Sequence, residues 1–375
     1  MKIVFTGGGT GGHFYPIIAV AQAVNRLVEE ERLVEAKLYY FSNSPYDAHL
    51  LFENRIEFHH VSAGKWRRYF SVHNFWDQLK TLKGFLGAVW KLYLIYPDVI
   101  FSKGGYASFP TLLAARILGL PVVIHESDSH PGRVSLWSAK FAKRIAVSYP
   151  EAIDFFPKEK TALTGNPIRE ELLSPISHGA HEFLKLDDKH PILFVTGGSQ
   201  GASVLNDAVL DILPLLLKHY QIIHQVGRDN FPDIEKRSRT ILEKTPERDR
   251  YHLFAHLNST ALRMTAGVTS LVISRAGSAI FEIAIWGLPS IIVPIPEPIS
   301  HDQRTNAFTY ARSGGAVVIE QNNLTPSVLL SEINRLMGDE RMREKMSVGA
   351  KKFSHPNASR SIAEEIISLS LTHEI

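Results

Sequence analysis

The feature that most constrains this chain is a strand-like run that breaks into a glycine loop and reopens as a helix, and it occurs more than once. Lys2 to Thr6 leads into Gly7-Gly8-Gly9-Thr10-Gly11-Gly12-His13 and a helical stretch over Ile17 to Glu30. In the second half, Ile192 to Thr196 leads into Gly197-Gly198-Ser199-Gln200-Gly201-Ala202 and a helix from about Ser203. A third case is Ser274-Arg275-Ala276-Gly277-Ser278, which follows an apolar run and precedes a helix with Glu282 in its first turns. Short β-rich runs alternating with helices predict a parallel sheet with crossover helices. Further runs fit the same alternation at Lys37 to Ser42, Val99 to Ser102, Val122 to His125 and Arg144 to Ser148, then at Gln221 to Val226, Ser270 to Ser274 and Ser290 to Pro294. The expected class is α/β, two Rossmann-like domains in tandem, and 375 residues suffice for two cores. Thr164-Gly165-Asn166-Pro167 supplies turn and breaker residues, which places the boundary there, with domains over 1–165 and 166–356. The stretch over 357–375 has helical periodicity.

Glycine loops that open helices expose backbone N–H groups at a positive helix end, a cradle for phosphate or sugar. Each alone can be a tight turn that needs glycine for its backbone angles; three in register weaken that reading. Gly7, Gly9 and Gly12 also carry dinucleotide spacing, but the acid that should end the second strand and hold a ribose is missing, since Lys37 to Ser42 runs into Asn43 and Ser44. A single dinucleotide domain also gives no reason for the second loop. Glu282 is placed to accept both hydroxyls of a ribose.

Bulk composition removes other classes. Lys and Arg number 41 against 38 Asp and Glu, a net charge of +3, so no nucleic-acid coat is expected. Without cysteine there is no disulfide scaffold, no Cys-based zinc site and no thiolate nucleophile. Met1 to Phe5 runs straight into a glycine loop, which leaves no room for a signal peptide, and Gly84 to Phe101 is interrupted by Lys91, Pro97 and Asp98, so no spanning helix is expected. Between Lys65 and Lys91, Trp66, Tyr69, Phe70, Phe75, Trp76, Phe85 and Trp90 interleave with Lys65, Arg67, Arg68, Lys80, Lys83 and Lys91. That pattern suits an anionic membrane surface. The competing reading is an ordinary helix with its aromatics in the core and its lysines solvated.

In order along the chain, GGGTGGH at Gly7–His13, KGGYASFP at Lys103–Pro110, HES at His125–Ser127, TGNPIR at Thr164–Arg169, GGSQGA at Gly197–Ala202, RAG at Arg275–Gly277, and Gln303 with Asn306-Ala307 resemble the MurG family of bacterial glycosyltransferases over nearly the whole length. The resemblance implies a GT-B fold and transfer of N-acetylglucosamine from UDP-N-acetylglucosamine to lipid I, giving lipid II at the inner face of the cell membrane. The acceptor would bind the N-terminal domain and the donor the C-terminal one, and the last helix would return to the first domain. Carried over by motif, Thr10, Gly11 and Gly12 approach the donor, Arg169 and Ser199 contact its diphosphate side, Ser278, Ala279, Ile280 and Phe281 form the facing helix start, Glu282 holds the ribose and Gln303 binds sugar hydroxyls. Uracil is read through backbone at Phe254-Ala255. Two departures stand out. The family's His-Glu-Gln-Asn is here His125-Glu126-Ser127-Asp128, a carboxylate in place of a sugar-contacting amide, and the interval from Gly277 to Glu282 is one residue short.

The implied reaction is an inverting displacement. The candidates for the base that takes the acceptor proton are His13, Glu126 and Asp128, with His13 preferred because an imidazole titrates near neutral pH beside the loop. The bland alternatives are a loop-bonding histidine and a loop-capping aspartate. No acidic pair or histidine spacing calls for a metal, so catalysis without a metal or cofactor is expected. Other readings of the same architecture are a UDP-sugar epimerase and a non-catalytic UDP-sugar or lipid-surface binding module.

Overall fold

The computed structural model describes residues 1–64, 72–198, 201–296 and 303–373. They form two compact units, Met1–Glu170 with His355–Ile375, and Glu171–Ser354.

The first unit is built on seven strands: β1 (Lys2–Thr6), β2 (Lys37–Ser42), β3 (Ile56–His60), β4 (Val99–Ser102), β5 (Val122–Glu126), β6 (Arg144–Val147) and β7 (Thr161–Leu163). They are parallel throughout, in the order β3-β2-β1-β4-β5-β6-β7. Successive side chains of a strand point to opposite faces, so β1 sends Ile3 and Phe5 to one core and Val4 to the other. Over the first face lie the helix Gly11–Glu30 and the last helix, Ala358–His373, which buries Ile362, Ala363, Ile366 and Ile367 there. Helices Val72–Ile95 and Phe109–Leu118 cover the second face through Ala88, Leu92, Leu112 and Ala115. Coverage on both faces is why the central strands read as unbroken apolar runs.

The second unit repeats the plan with β8 (Ile192–Thr196), β9 (Gln221–Gln225), β10 (Tyr251–Phe254), β11 (Thr269–Ser274), β12 (Ser290–Ile292) and β13 (Ala316–Val318), all parallel in the order β10-β9-β8-β11-β12-β13. In each sheet the order reverses beside the first strand, between β1 and β4 and between β8 and β11. Chain direction diverges at these switch points and leaves a crevice at the strand ends, the usual ligand position in open α/β sheets.

A buried polar chain braces the second sheet. His224 on β9 is fully buried, with Nδ1 2.9 Å from the Tyr251 hydroxyl and Nε2 3.1 Å from Asn206 Oδ1. Asn206 donates its amide to Val226 O at 3.3 Å, so its Oδ1 faces the ring, Nε2–H is the donor and Nδ1 accepts from tyrosine. Burial lowers the His224 pKa to about 3. The unfolded chain therefore binds a proton that the folded one refuses, and stability falls as pH drops from ~6.5 toward 3, by up to ~1.4 kcal/mol per pH unit from this residue. His224→Gln should flatten that acid limb by one proton in urea titrations; an unchanged slope would exclude the assignment.

Candidate active site

The loops at the β1/β4 switch point are tightly packed. Gly9, Gly104 and Gly105 have φ of +96°, +77° and +79°, a region that side chains rarely enter. A Cβ on Gly8 would lie 2.4 Å from Ser42 Oγ, and Tyr40 donates its hydroxyl to Gly7 O at 3.0 Å, so the end of β2 seals the back of the loop. Thr10 caps the helix whose first residues are Gly11, Gly12 and His13, and its Oγ1 is 2.9 Å from His13 Nδ1. With Nδ1–H donating to Thr10, the Nε2 lone pair is free for a proton. That atom faces Gly105, where an added Cβ would stand 3.3 Å from it; glycine keeps the approach open. Burial first, and the nearby Lys103 ammonium second, lower the His13 pKa to about 4, so the ring is neutral at pH 7.

β5 ends in the second candidate base. Glu126 is 6% exposed, and both carboxylate oxygens are occupied by backbone: Oε1 accepts from Ser127 N at 2.9 Å and Asp128 N at 3.1 Å, Oε2 from Gly132 N at 3.1 Å. These bonds make Glu126 the brace of the turn over 127–132. Burial and the neighbouring Asp128 raise its pKa. Asp128 itself is half-buried on that turn. Next to it, His125 Nε2 contacts Gly165 O at 3.0 Å, tying β5 to the Thr164–Pro167 turn, and burial holds its pKa well below the ordinary value. Arg169 falls in this unit, its guanidinium 4.5 Å above the Tyr15 ring.

The β8/β11 switch point has the same construction. Gly198 and Gly201 have φ of +82° and +74°, and a Cβ on Gly201 would stand 2.0 Å from Val226 O. The loop opens the helix Ser203–Leu216. Ser199 lies outside the described residues, as does the segment 65–71 with Lys65, Trp66, Arg67, Arg68, Tyr69 and Phe70. After β11, Ser278 caps the helix Ala279–Trp286, and Glu282 is half-buried in its first turn. Ile280 and Phe281 turn their side chains into the core, Phe281 stacking on Phe353 at 5.6 Å; any ligand contact they make is through backbone N–H. Ala255 follows β10 directly. Gln303 opens the helix Gln303–Arg312 and accepts from Ile295 N through Oε1 at 3.1 Å, so its amide nitrogen is the end left to donate.

Two residues given no role from sequence belong to this geometry. Lys103 and Arg275 each follow the switch-point partner strand directly, β4 and β11, and each is almost fully buried, with pKa lowered by burial to about 8 and about 10. A basic residue directly after a buried strand, one or two places ahead of a glycine, was the signal available.

Residues 3–147 match the glycosyltransferase family 28 N-terminal domain and residues 192–362 the glycosyltransferase family 28 C-terminal domain. A Treponema denticola protein named UDP-N-acetylglucosamine–N-acetylmuramyl-(pentapeptide) pyrophosphoryl-undecaprenol N-acetylglucosamine transferase is 34% identical over 97% of this chain and 94% of its own length. The crystal structure of Acinetobacter baumannii MurG superposes with a TM-score of 0.72 at 25% identity, covering 98% of this chain and 99% of that one. A putative UDP-N-acetylglucosamine 2-epimerase from Listeria monocytogenes reaches the same TM-score of 0.72 at 15% identity, covering 100% and 97%, a likeness of fold alone.

Proposed function

The chain belongs to the MurG family within glycosyltransferase family 28, and on that premise we propose how it moves N-acetylglucosamine from UDP-N-acetylglucosamine to the 4-hydroxyl of N-acetylmuramate in undecaprenyl-linked lipid I, giving lipid II for peptidoglycan. The second unit holds the donor and the first receives the acceptor. The observation that carries this division is the doubled switch point: each sheet ends in its own N–H-rich glycine loop beside a buried base, one cradle for each of two anionic, sugar-bearing substrates.

The 4-hydroxyl oxygen bonds to the anomeric carbon as the bond to the UDP oxygen breaks. Its proton passes to His13 Nε2, oriented by Thr10, and the bonding pair leaves with UDP. Arg169, Ser199 and helix N-termini meet the charge growing on the diphosphate, each helix end contributing ~0.3 to 1 kcal/mol, so that no metal ion is required. Thr10, Gly11 and Gly12 lie against the donor sugar, Glu282 accepts from the ribose hydroxyls, Gln303 donates to a sugar oxygen, and backbone at Ser278–Phe281 and Ala255 reads phosphate and uracil. Transfer to a short-chain lipid I analogue in EDTA, with the disaccharide identified by mass, is the test. Full activity is expected. Dependence on added magnesium would sink the metal-free mechanism, and donor binding without product would sink the acceptor assignment.

The enzyme works on the anionic inner face of the cell membrane. Supporting this, Trp76, Leu79, Leu82, Leu86, Trp90 and Tyr93 form an outward stripe along Val72–Ile95, with the two tryptophans 60% and 64% exposed, while Ala88 and Leu92 face the core. Lys80 and Lys83 flank it, both exposed. Among the described residues no helix is long and apolar enough to cross a membrane. At about 1 kcal/mol per basic residue, Lys80→Gln with Lys83→Gln should lower partition onto anionic vesicles ~30-fold. Equal binding of the wild type to neutral and anionic vesicles would refute the electrostatic part.

A further inference from the structure

Arg169 is the last residue but one before the chain leaves the first unit, and it is almost fully buried there, at 8% exposure. Helices of that unit fix the backbone on both sides of it. Glu170 N donates to Gln22 Oε1 at 3.2 Å, and the Glu170 carboxylate pairs with Arg26. On the other side, Ser359 of the last helix donates its hydroxyl to Ile168 O at 3.1 Å. Tyr15, Gln22 and Arg26 are spaced i, i+7 and i+11 along the helix Gly11–Glu30, which places them on one stripe, so the face that ties down the chain also meets the Arg169 side chain.

The meeting is through a ring: the guanidinium carbon lies 4.5 Å from the centroid of Tyr15. That ring is itself held. It is edge-on to Tyr46 at 5.8 Å and to Phe14 at 5.8 Å, and Phe14, fully buried, is edge-on to Tyr40 at 5.7 Å. Tyr40 is the residue whose hydroxyl closes the back of the first glycine loop, so a continuous run of rings leads from that loop to the guanidinium. An aromatic face attracts a cation within ~6 Å through its quadrupole. Unlike a carboxylate, the ring is neutral, so it fixes the position of the guanidinium and leaves its charge whole.

We propose that Tyr15 is a positioning residue for the transfer, acting through Arg169: its ring holds the guanidinium where the diphosphate leaves, with the full charge available to the oxygens that become anionic. Tyr15 follows His13 by two residues, so one helix start carries both the base for the incoming hydroxyl and the seat of the cation for the departing UDP. The inference rests on the reading above in which Arg169 meets the diphosphate. Because negative charge grows there as the bond to UDP breaks, loosening the guanidinium acts more on kcat than on the donor KM.

The test replaces Tyr15 in the full chain by phenylalanine, by 3,5-difluorophenylalanine and by 3,4,5-trifluorophenylalanine, and measures kcat and both KM values for transfer. Fluorine withdraws electron density from the ring face and scarcely alters its shape, so the packing is kept while the attraction weakens. Taking Tyr15→Phe as the reference, kcat should fall stepwise with fluorine content, by ~10-fold at the trifluoro ring, with the donor KM moving less than ~3-fold. In an Arg169→Met background the same rings should all give one kcat. A kcat indifferent to fluorination, which is what a role in packing alone predicts, or an equal fall in the Arg169→Met background, would overturn the proposal. Transfer by Arg169→Met at the wild-type rate would overturn both the proposal and the place of Arg169 at the diphosphate. If the wild type gives no product, the transferase reading fails, and the same rings are compared for UDP affinity instead: indifference to fluorination then overturns the pairing, and a stepwise loss confined to proteins that keep Arg169 sustains it.

Discussion

Alanine at His13 should lower kcat by at least ~100-fold while donor binding stays within a few-fold, since a positioned general base typically contributes that much. The pH profile adds a sharper mark. The base works unprotonated, and its pKa is depressed to about 4 by burial and by Lys103, so kcat/KM should hold steady as pH falls from 7 to about 5 and collapse only on passing through about 4. An unperturbed imidazole would lose activity near 6.5. A few-fold loss on substitution would move the base to Asp128, since the oxygens of Glu126 are already committed to the turn over 127–132.

Glu282→Ala should raise the KM for UDP-N-acetylglucosamine ~10- to 100-fold and change kcat only a few-fold. Hydrogen bonds to a charged group contribute ~1.5 to 3 kcal/mol each way they are lost, and a ribose held equally in the ground and transition states affects binding rather than turnover. The carboxylate sits in the first turn of Ala279–Trp286, where the helix dipole favours its charge. The acceptor KM should not move. If donor KM is unaltered in steady-state assays with saturating acceptor, Glu282 does not hold the ribose.

The central strands were readable from sequence almost to the residue: β1, β2, β4 and β8 lie where the apolar runs predict. The four strands that escaped detection are β3, β7, β10 and β13, and these are the four sheet edges. An edge strand is covered on fewer sides, so its residues need not be apolar; β7 is Thr161-Ala162-Leu163 and mostly exposed, whereas all of Val99 to Ser102 is buried. Periodicity reports burial, and edges lack it. The helix Val72–Ile95 shows the same limit: its mixture of tryptophan and lysine reads as surface or core until the fold shows Trp76 and Trp90 facing out and Ala88 facing in.

The site was legible as a set of motifs and illegible as a set of charges. Glycine loops announce a cradle because only a few residue types tolerate those backbone angles. The state of His13, the bracing by Glu126 and the isolation of Lys103 depend on how the ends of β1, β4 and β5 converge, and the end of β1 lies roughly 100 residues from the other two in the chain, a separation no local pattern bridges.

The last helix completes a core begun by the first strand. Ile362, Ala363, Ile366 and Ile367 cover the face that carries Ile3, Phe5 and the helix Gly11–Glu30, whereas Glu171–Ser354 is contiguous. During synthesis, therefore, the unit made first must wait, its apolar face uncovered, until the helix Ala358–His373 has left the ribosome, while the unit made second can close on its own. A nonsense codon a few residues before Ala358 would leave Glu171–Ser354 whole and expose Met1–Glu170 to chaperones and proteases, so that a loss late in the gene would be felt by the residues encoded first.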